Sequence, residues 1–140
     1  MSKQFTSLGM MSGTSGDGVD TSIIISDGYS NYNVLKEKYF EYDQDIFEEI
    51  HKLKKNINTK EDLKKFSNDI NRLERKITLF HGKVAKELLF ETSVDIIGFH
   101  GQTIYHDPKN NISVQIGDGK LLSQITQKNV VFDFRKNDIK

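Results

Sequence analysis

A glycine-rich segment near the start of the chain has the composition of a phosphate-binding loop. Residues 9–20 read GMMSGTSGDGVD, in which glycines alternate with small polar residues. Glycine permits positive φ and a close backbone approach, so successive N–H groups can converge on an anion. The hydroxyl side chains add further donors. The residues predicted to surround a phosphate group are Gly13, Thr14, Ser15, Gly16, Asp17, Gly18 and Asp20.

The charges of this segment favour a magnesium ion, rather than a lysine, as the partner of the phosphate. No lysine lies between Gln4 and Lys36, so the segment is not a Walker A sequence. Mg²⁺ prefers one or two carboxylates, water and phosphate oxygens, and Asp17 is the predicted metal ligand, with Asp20 close by in sequence. The alternative is a plain hairpin turn with solvated aspartates, because glycine and aspartate are common turn formers. Spacing alone leaves both interpretations open.

Three later segments place polar side chains where an apolar strand ends, which is where α/β sheets bind ligands. They are residues 98–108 (GFHGQTIYHDP), 114–119 (VQIGDG) and 130–138 (VVFDFRKND). The second of them precedes a predicted helix N-terminus, which favours anions. The candidate binding residues in the three segments are His100, Gln102, Thr103, Gln115, Asp133 and Arg135.

Some of these side chains also have a purely structural interpretation. Asp133 and Arg135 could form an ion pair, and Gln115 could satisfy backbone groups of the sheet. Two further histidines, His51 and His81, lie on charged helical stretches, and we predict no chemical role for them.

The composition excludes several classes of function. The chain of 140 residues fits one domain with a real core, and its 20 basic and 20 acidic residues create no field for nucleic acid or an anionic membrane. The absence of cysteine excludes disulfides, thiolate catalysis and a cysteine-based zinc site. No apolar run approaches the ~20 residues of a membrane span, and the N-terminus has no signal-peptide pattern. We therefore expect a cytoplasmic protein that binds small molecules, not nucleic acid or membranes.

The order of apolar patterns predicts an α/β fold with a mixed sheet flanked by helices. Strands are predicted at 7–11, 21–25, 34–42, 94–99, 112–116 and 130–134, and the first two form a hairpin around residues 13–18. A helix is predicted from Gln44, and a short one over 121–125.

One long helix is predicted between these groups of strands. Thr59 and Asp62 resemble a capping box, and apolar residues then recur by threes and fours to Leu88, which gives a helix about 45 Å long. Gly82 is a predicted weak point within it. Its apolar stripe, which contains phenylalanines, favours packing on a sheet over a coiled coil or partner helix.

Taken in this order, the four motifs resemble the anhydro-N-acetylmuramic acid kinases. These are bacterial enzymes of peptidoglycan recycling within the actin, sugar kinase and Hsp70 ATPase superfamily. GMMSGTSGDGVD is similar to the family's ATP loop, and the three later segments are similar to its following blocks at similar spacing. The similarity spans essentially all 140 residues. Gly16 departs from the family pattern, which has a larger side chain there, and this glycine predicts a more mobile loop.

The resemblance implies a ribonuclease H-like lobe and an ATP- and Mg²⁺-dependent kinase reaction. Water opens the 1,6-anhydro ring at the anomeric carbon while the γ-phosphoryl group of ATP passes to the freed 6-oxygen. The products are N-acetylmuramic acid 6-phosphate and ADP. The loop from Gly13 to Asp17 would hold the phosphates and help to place magnesium. The residues implied to line the sugar cleft are His100, Gln102, Thr103, Gln115, Asp133 and Arg135.

Members of the family are more than twice as long as this chain and are expected to form homodimers. The resemblance places their catalytic base, an aspartate, and a second lobe over the adenosine beyond Lys140, so none of the 140 residues is assigned as a catalytic base. We therefore expect residues 1–140 to be the N-terminal ATPase-like lobe of such a kinase, inactive by itself. The alternatives are a non-catalytic binding or interaction module with the same fold, and a different sugar or acid kinase of the superfamily.

Overall fold

The computed structural model describes residues 3–132 and contains a six-stranded mixed sheet. The helices are α1 (Gln44–Asn56), α2 (Lys60–Lys65), α3 (Ser67–Glu91) and α4 (Gly119–Thr126). The strands are β1 (Phe5–Ser12), β2 (Gly18–Ser26), β3 (Tyr32–Glu41), β4 (Ile96–Asp107), β5 (Ile112–Ile116) and β6 (Asn129–Val131). The predicted α/β fold is confirmed.

The first three strands form an antiparallel meander, and β1 also pairs with β4 in parallel. The sheet order is β3-β2-β1-β4-β5. The start of β4 pairs in parallel with β6, and its end pairs antiparallel with β5. The β1–β2 turn consequently lies near the point in β4 where Ser12 pairs with Gln102. The hairpin around residues 13–18 is as predicted, because the residues between the two strands are not helical.

Alternation along the central strands separates a buried face of the sheet from an open one. In β1, Leu8 and Met10 are buried against the core, while Gly9 and Met11 are exposed. The same period-2 pattern places Phe99 of β4 in the core. Helices α1 and α3 contribute the other side of that core, through buried residues that include Ile50 and Ile77.

The predicted long helix is present as α3, but it begins at Ser67 and is preceded by the separate short helix α2. The capping box of Thr59 and Asp62 starts α2 as expected, but the backbone leaves helical geometry at Phe66, with φ −102° and ψ 19°. Helix α3 begins at the next residue, and the Phe66 carbonyl already accepts from the Ile70 N–H at 2.9 Å. No residue of α2 is buried. The predicted start of the long helix was wrong because an apolar stripe does not distinguish a continuous helix from two helices joined at a single residue.

Helix α3 continues through Gly82, which is a packing position instead of a weak point. Gly82 is buried, and a Cβ placed on it would lie 2.8 Å from Cγ2 of Ile125 in α4. The glycine therefore lets α4 approach α3 closely. The apolar face of α3 packs into the core, through residues such as Leu73 and Leu88, as the globular interpretation predicted. Within residues 3–132, no helix is both long and apolar enough to cross a membrane.

We predict that Gly82→Ala destabilises the fold by about 1 kcal/mol. Alanine favours the helix by ~1 kcal/mol, but the contact with Ile125 adds an overpacking cost of about 1–3 kcal/mol. Urea unfolding measures the net change. In an Ile125→Ala background the contact is absent, so the same glycine substitution should become neutral or stabilising. An equal loss in both backgrounds would contradict the close approach of the two helices.

Candidate functional site

The glycine loop is an exposed turn with a buried base. Gly13, Thr14, Ser15 and Asp17 are exposed, whereas Gly16 is buried. The Gly16 N–H donates to the Gly13 carbonyl at 3.2 Å and closes the turn. Within residues 3–132, the amide groups of Thr14 and Ser15 donate to no protein acceptor. Within this part of the chain, the loop therefore offers unpaired backbone donors and hydroxyl groups to solvent.

Helix α1 supports the loop from one side. Gly16 has φ +70°, and a Cβ there would lie 2.9 Å from Cγ2 of Ile50. The ammonium group of Lys54 donates a hydrogen bond to the Thr14 carbonyl. His51 Nε2 lies 3.9 Å from the carboxylate of Asp17 and has no hydrogen-bond partner in the described part of the chain. The loop itself has no lysine, but folding brings one to it from α1.

Four fully or largely buried polar side chains lie directly beneath the loop. We call Ser12, Tyr42, His81 and Gln102 the buried polar cluster; all are at most 7% exposed. Ser12 Oγ lies 2.9 Å from the Tyr42 hydroxyl and 3.3 Å from His81 Nε2. The Tyr42 hydroxyl donates to Gln102 Oε1 at 3.0 Å. The four side chains thus form one hydrogen-bonded chain from α3 to β4.

Burial keeps the titratable members of this cluster neutral. Burial lowers the pKa of His81 to about 4, against a smaller opposing effect of its hydrogen bond to the Ile77 carbonyl. Burial likewise raises the pKa of Tyr42 far above its ordinary value, so the phenol keeps its proton. His81 Nδ1 lies 2.8 Å from the Ile77 carbonyl oxygen. Because a carbonyl only accepts, Nδ1 carries the ring proton and Nε2 is the acceptor that faces Ser12.

The sequence prediction for His81 was wrong about its surroundings. The residue lies on a helix rich in charged side chains, yet it follows buried Ile77 by four positions and therefore shares its face. Its ring is 0% exposed and its centroid lies 4.8 Å from that of Phe99. The helical spacing of four residues from Ile77 indicated that His81 is buried. The prediction relied on the charged neighbours and missed it.

The predicted ligand residues of β4 and β5 fall into different environments. His100 lies in a groove on the open face of the sheet, together with Asp20 and Met11. Gln102 is fully buried in the cluster beneath the loop. Thr103 is also buried, and its hydroxyl accepts from the Gln115 side chain at 3.2 Å. The structure therefore brings Asp20 and His100 to one surface, and Gln102 to the base of the loop.

The other predicted residues are explained by local packing or lie outside the described residues. A Cβ on Gly18 would lie 2.3 Å from the Phe40 carbonyl oxygen of β3, so this glycine permits strand pairing. Asp133 and Arg135 lie outside residues 3–132. Within that range, no three His, Asp or Glu side chains are grouped as a metal site.

The N-terminus of α4 is already occupied by the protein's own acidic side chains. The Asp118 carboxylate caps the helix by accepting from the Leu121 N–H at 3.0 Å. Glu74 of α3 accepts from the Gly117 N–H at 2.9 Å, and Thr78 accepts from the Asp118 N–H at 2.9 Å. The sequence indicated that this helix N-terminus favours anions. The two carboxylates found there are Asp118, which caps α4, and Glu74, which holds the segment before α4 on α3.

We predict that Gly16→Ala costs about 2 kcal/mol of unfolding free energy. A side chain at φ +70° is strained by ~1 kcal/mol or more, and the contact with Ile50 adds an overpacking cost. Gly28 is the matched control, because its φ is +83° but no atom lies within 4 Å of a Cβ placed there. Urea unfolding should show a larger loss for Gly16→Ala than for Gly28→Ala. Equal losses would mean that the loop does not pack on α1 as described.

The buried histidine predicts a specific dependence of stability on pH. The unfolded chain binds a proton at His81 below its ordinary pKa of 6.5, but the folded chain does so only near 4. The stability contributed by neutral His81 is thus complete above pH 6.5 and is lost as the pH falls towards 4. Between pH 7 and pH 5, this linkage should lower the unfolding free energy by about 2 kcal/mol.

His81→Gln removes the titrating group and should flatten this part of the profile relative to the unmodified chain. In the unmodified chain, the NMR resonances of the His81 ring should stay those of neutral imidazole down to pH 5. An imidazolium signal at pH 6 would contradict the buried position of the ring.

Comparison with known proteins agrees with the motifs. A family model described as Anhydro-N-acetylmuramic acid kinase matches residues 5–140. A protein of that name from Pelagibacter ubique is 57% identical over 99% of this chain and 38% of its own length. Others, from Agrobacterium fabrum and Brucella canis, are 38% and 32% identical over 96% and 95% of this chain, and over 37% of their own lengths.

The chain therefore spans less than two fifths of the length of these curated relatives. Its match to the family model nevertheless runs from the glycine loop through the last of the four motifs. The chain belongs to the anhydro-N-acetylmuramic acid kinase family.

Proposed function

We propose that this chain is the phosphate-handling, N-terminal lobe of an ATP-dependent anhydro-N-acetylmuramic acid kinase. The proposal rests on one structural observation. The glycine loop presents the amide groups of Thr14 and Ser15, which donate to no acceptor within residues 3–132, on a turn that is supported from below and from the side. Phosphoryl transfer depends mainly on positioning and charge neutralisation, and such a loop supplies both fixed donors and a nearby cation, Lys54.

Magnesium fits the donor set of this loop. Asp17 supplies one exposed carboxylate, and Mg²⁺ is commonly held by one or two carboxylates with phosphate oxygens and water completing its shell. When bound, the ion would neutralise charge on the β- and γ-phosphates. Asp20 lies on the open face of the sheet beside His100, where it would face the substrate side of the loop.

In the proposed reaction, the loop holds the phosphates of ATP while water opens the 1,6-anhydro ring of the sugar. The γ-phosphoryl group passes to the 6-oxygen, which gives N-acetylmuramic acid 6-phosphate and ADP. His100, Thr103, Gln115, Asp133 and Arg135 are the proposed sugar-cleft residues, together with Gln102. Gln102 would act from its buried position beneath the loop, because its amide is already hydrogen-bonded to protein groups.

The groups that complete this site are proposed to come from the part of the relatives that the chain does not match. They are the aspartate that activates the water and the lobe that covers the adenosine. A homodimeric full-length enzyme, a role in peptidoglycan recycling and a cytoplasmic location, where ATP is available, belong to the same proposal.

We predict that Mg-ATP shifts the amide NMR signals of Gly13, Thr14 and Ser15 at millimolar concentration. Binding should be weak, because one lobe supplies only part of the contacts and association costs several kcal/mol. Asp17→Asn should weaken the magnesium-dependent part of this response. Asp43→Asn is the control, because Asp43 is also exposed and makes no side-chain cap at the start of α1. Absence of loop shifts in the unmodified chain would contradict the phosphate site.

A further inference from the structure

The buried polar cluster reaches both ends of the glycine loop. At the start of the loop, Gln102 Nε2 donates to the Gly13 carbonyl at 2.9 Å. At its end, the Tyr42 backbone N–H donates to the Asp17 carbonyl at 3.0 Å. The Tyr42 hydroxyl in turn donates to Gln102 Oε1 at 3.0 Å. One tyrosine therefore connects the two anchors of the loop.

The orientation of Gln102 follows from its partners. Its NH₂ group donates to two carbonyls, those of Gly13 and Thr103, at 2.9 and 3.1 Å. Carbonyl oxygens only accept, so the side-chain oxygen must be the atom that faces Tyr42. The Tyr42 hydroxyl is the donor to that oxygen. Without this hydroxyl, the buried oxygen of Gln102 would lose its partner, and the amide would be free to turn away from Gly13.

The buried polar cluster has fewer hydrogen atoms to donate than it has hydrogen-bonding contacts between its side chains. With His81 neutral, three contacts join His81 to Ser12, Ser12 to Tyr42 and Tyr42 to Gln102. Only the two hydroxyl hydrogens are available for them, because the ring proton of His81 is directed to the Ile77 carbonyl. Each hydroxyl hydrogen thus has two acceptors within reach. The state in which Tyr42 donates to Gln102 is the one that holds the loop.

We propose that Tyr42 and Gln102 are positioning residues for phosphate binding. They hold the carbonyls of Gly13 and Asp17 beneath the loop, so that the amide groups of Thr14 and Ser15 face outward. Neither side chain touches the phosphate. The inference deepens the proposed function and rests on it, because positioning has a consequence only if the loop binds phosphate.

Burial gives this arrangement its rigidity. Buried polar groups are costly unless they are hydrogen-bonded, so the cluster favours the one backbone geometry that satisfies its members. Tyr42 is fixed further by its ring, whose centroid lies 5.1 Å from that of Phe80. Its hydroxyl can therefore be removed without removing the packing of the ring.

The test is Tyr42→Phe, which deletes the hydroxyl but keeps the ring and the backbone N–H to Asp17. The control is Tyr105→Phe, which deletes the hydroxyl of a tyrosine in β4 whose partner is Asp107 instead of the loop. Amide NMR spectra of the 140-residue chain without ligand are compared first. Tyr42→Phe should shift the signals of Gly13, Thr14 and Ser15, and Tyr105→Phe should leave them in place.

Kinetics then separate positioning from stability. The enzyme is a chimera in which residues 1–140 replace the matching segment of the Pelagibacter ubique relative, which is 57% identical over this region. Tyr42→Phe should raise the KM for Mg-ATP by about three- to tenfold, the equivalent of one hydrogen bond, and should change the KM for the sugar by less. Tyr105→Phe should change neither KM.

The NMR spectra and the KM values together either support or overturn the positioning role of Tyr42 and Gln102. Loop shifts together with a raised KM for ATP support it. Unchanged loop signals, or an unchanged KM for ATP despite a lower Tm, would show that the cluster only stabilises the core and would overturn it. If the unmodified chain does not respond to Mg-ATP, the proposed function fails, and the ligand-free spectra still show whether Tyr42 sets the conformation of the loop.

Discussion

The hydrogen bond from the buried Gln102 side chain to the Gly13 carbonyl is the contact on which the rest of the site depends. It joins the end of β1 to the middle of β4, two strands that are far apart in sequence but adjacent in the sheet. The hydroxyl of Tyr42 donates to the side-chain oxygen of the same Gln102. The position of the loop is therefore fixed by hydrogen bonds from Gln102 in the sheet, which is itself held by Tyr42 at the end of β3.

The helices complete that constraint from two directions. Helix α3 places neutral His81 against Ser12, the last residue of β1 before the loop. Helix α1 places Ile50 where a side chain at position 16 would have to lie, and directs Lys54 to the Thr14 carbonyl. Gly16 is thus required by its φ of +70° and by the surface below it. A turn of small residues is held in one shape by larger residues that do not belong to it.

Sequence reasoning found the features of this site that are local. The glycine loop, the strands beside it, the start of α1 and the capping box of α2 depend on residues within a few positions of each other, and the structure has them as predicted. The division of the long helix at Phe66 was missed, because both halves continue the same apolar period.

The buried polar cluster was missed for a different reason. Its four members are distant in sequence: Ser12 lies in β1, Tyr42 directly follows β3, His81 lies in α3 and Gln102 lies in β4. The local sequence around each residue gives no information about the other three. Only the pairing of β1 with β4 and the packing of α3 on the sheet bring them together. Gln102 was identified as a binding residue, but its burial and its three hydrogen bonds could not be read from the apolar strand that precedes it.

ADP release by the chimera with the Pelagibacter ubique relative tests directly whether this chain handles phosphate for an anhydro sugar kinase. We expect the chimera to release ADP only when both magnesium and 1,6-anhydro-N-acetylmuramic acid are present, and residues 1–140 alone to release none. A folded chimera that binds the sugar but releases no ADP would contradict a phosphate-handling role for this chain. Sugar-dependent ADP release by the 140-residue chain alone would contradict the proposal that the catalytic base lies outside it.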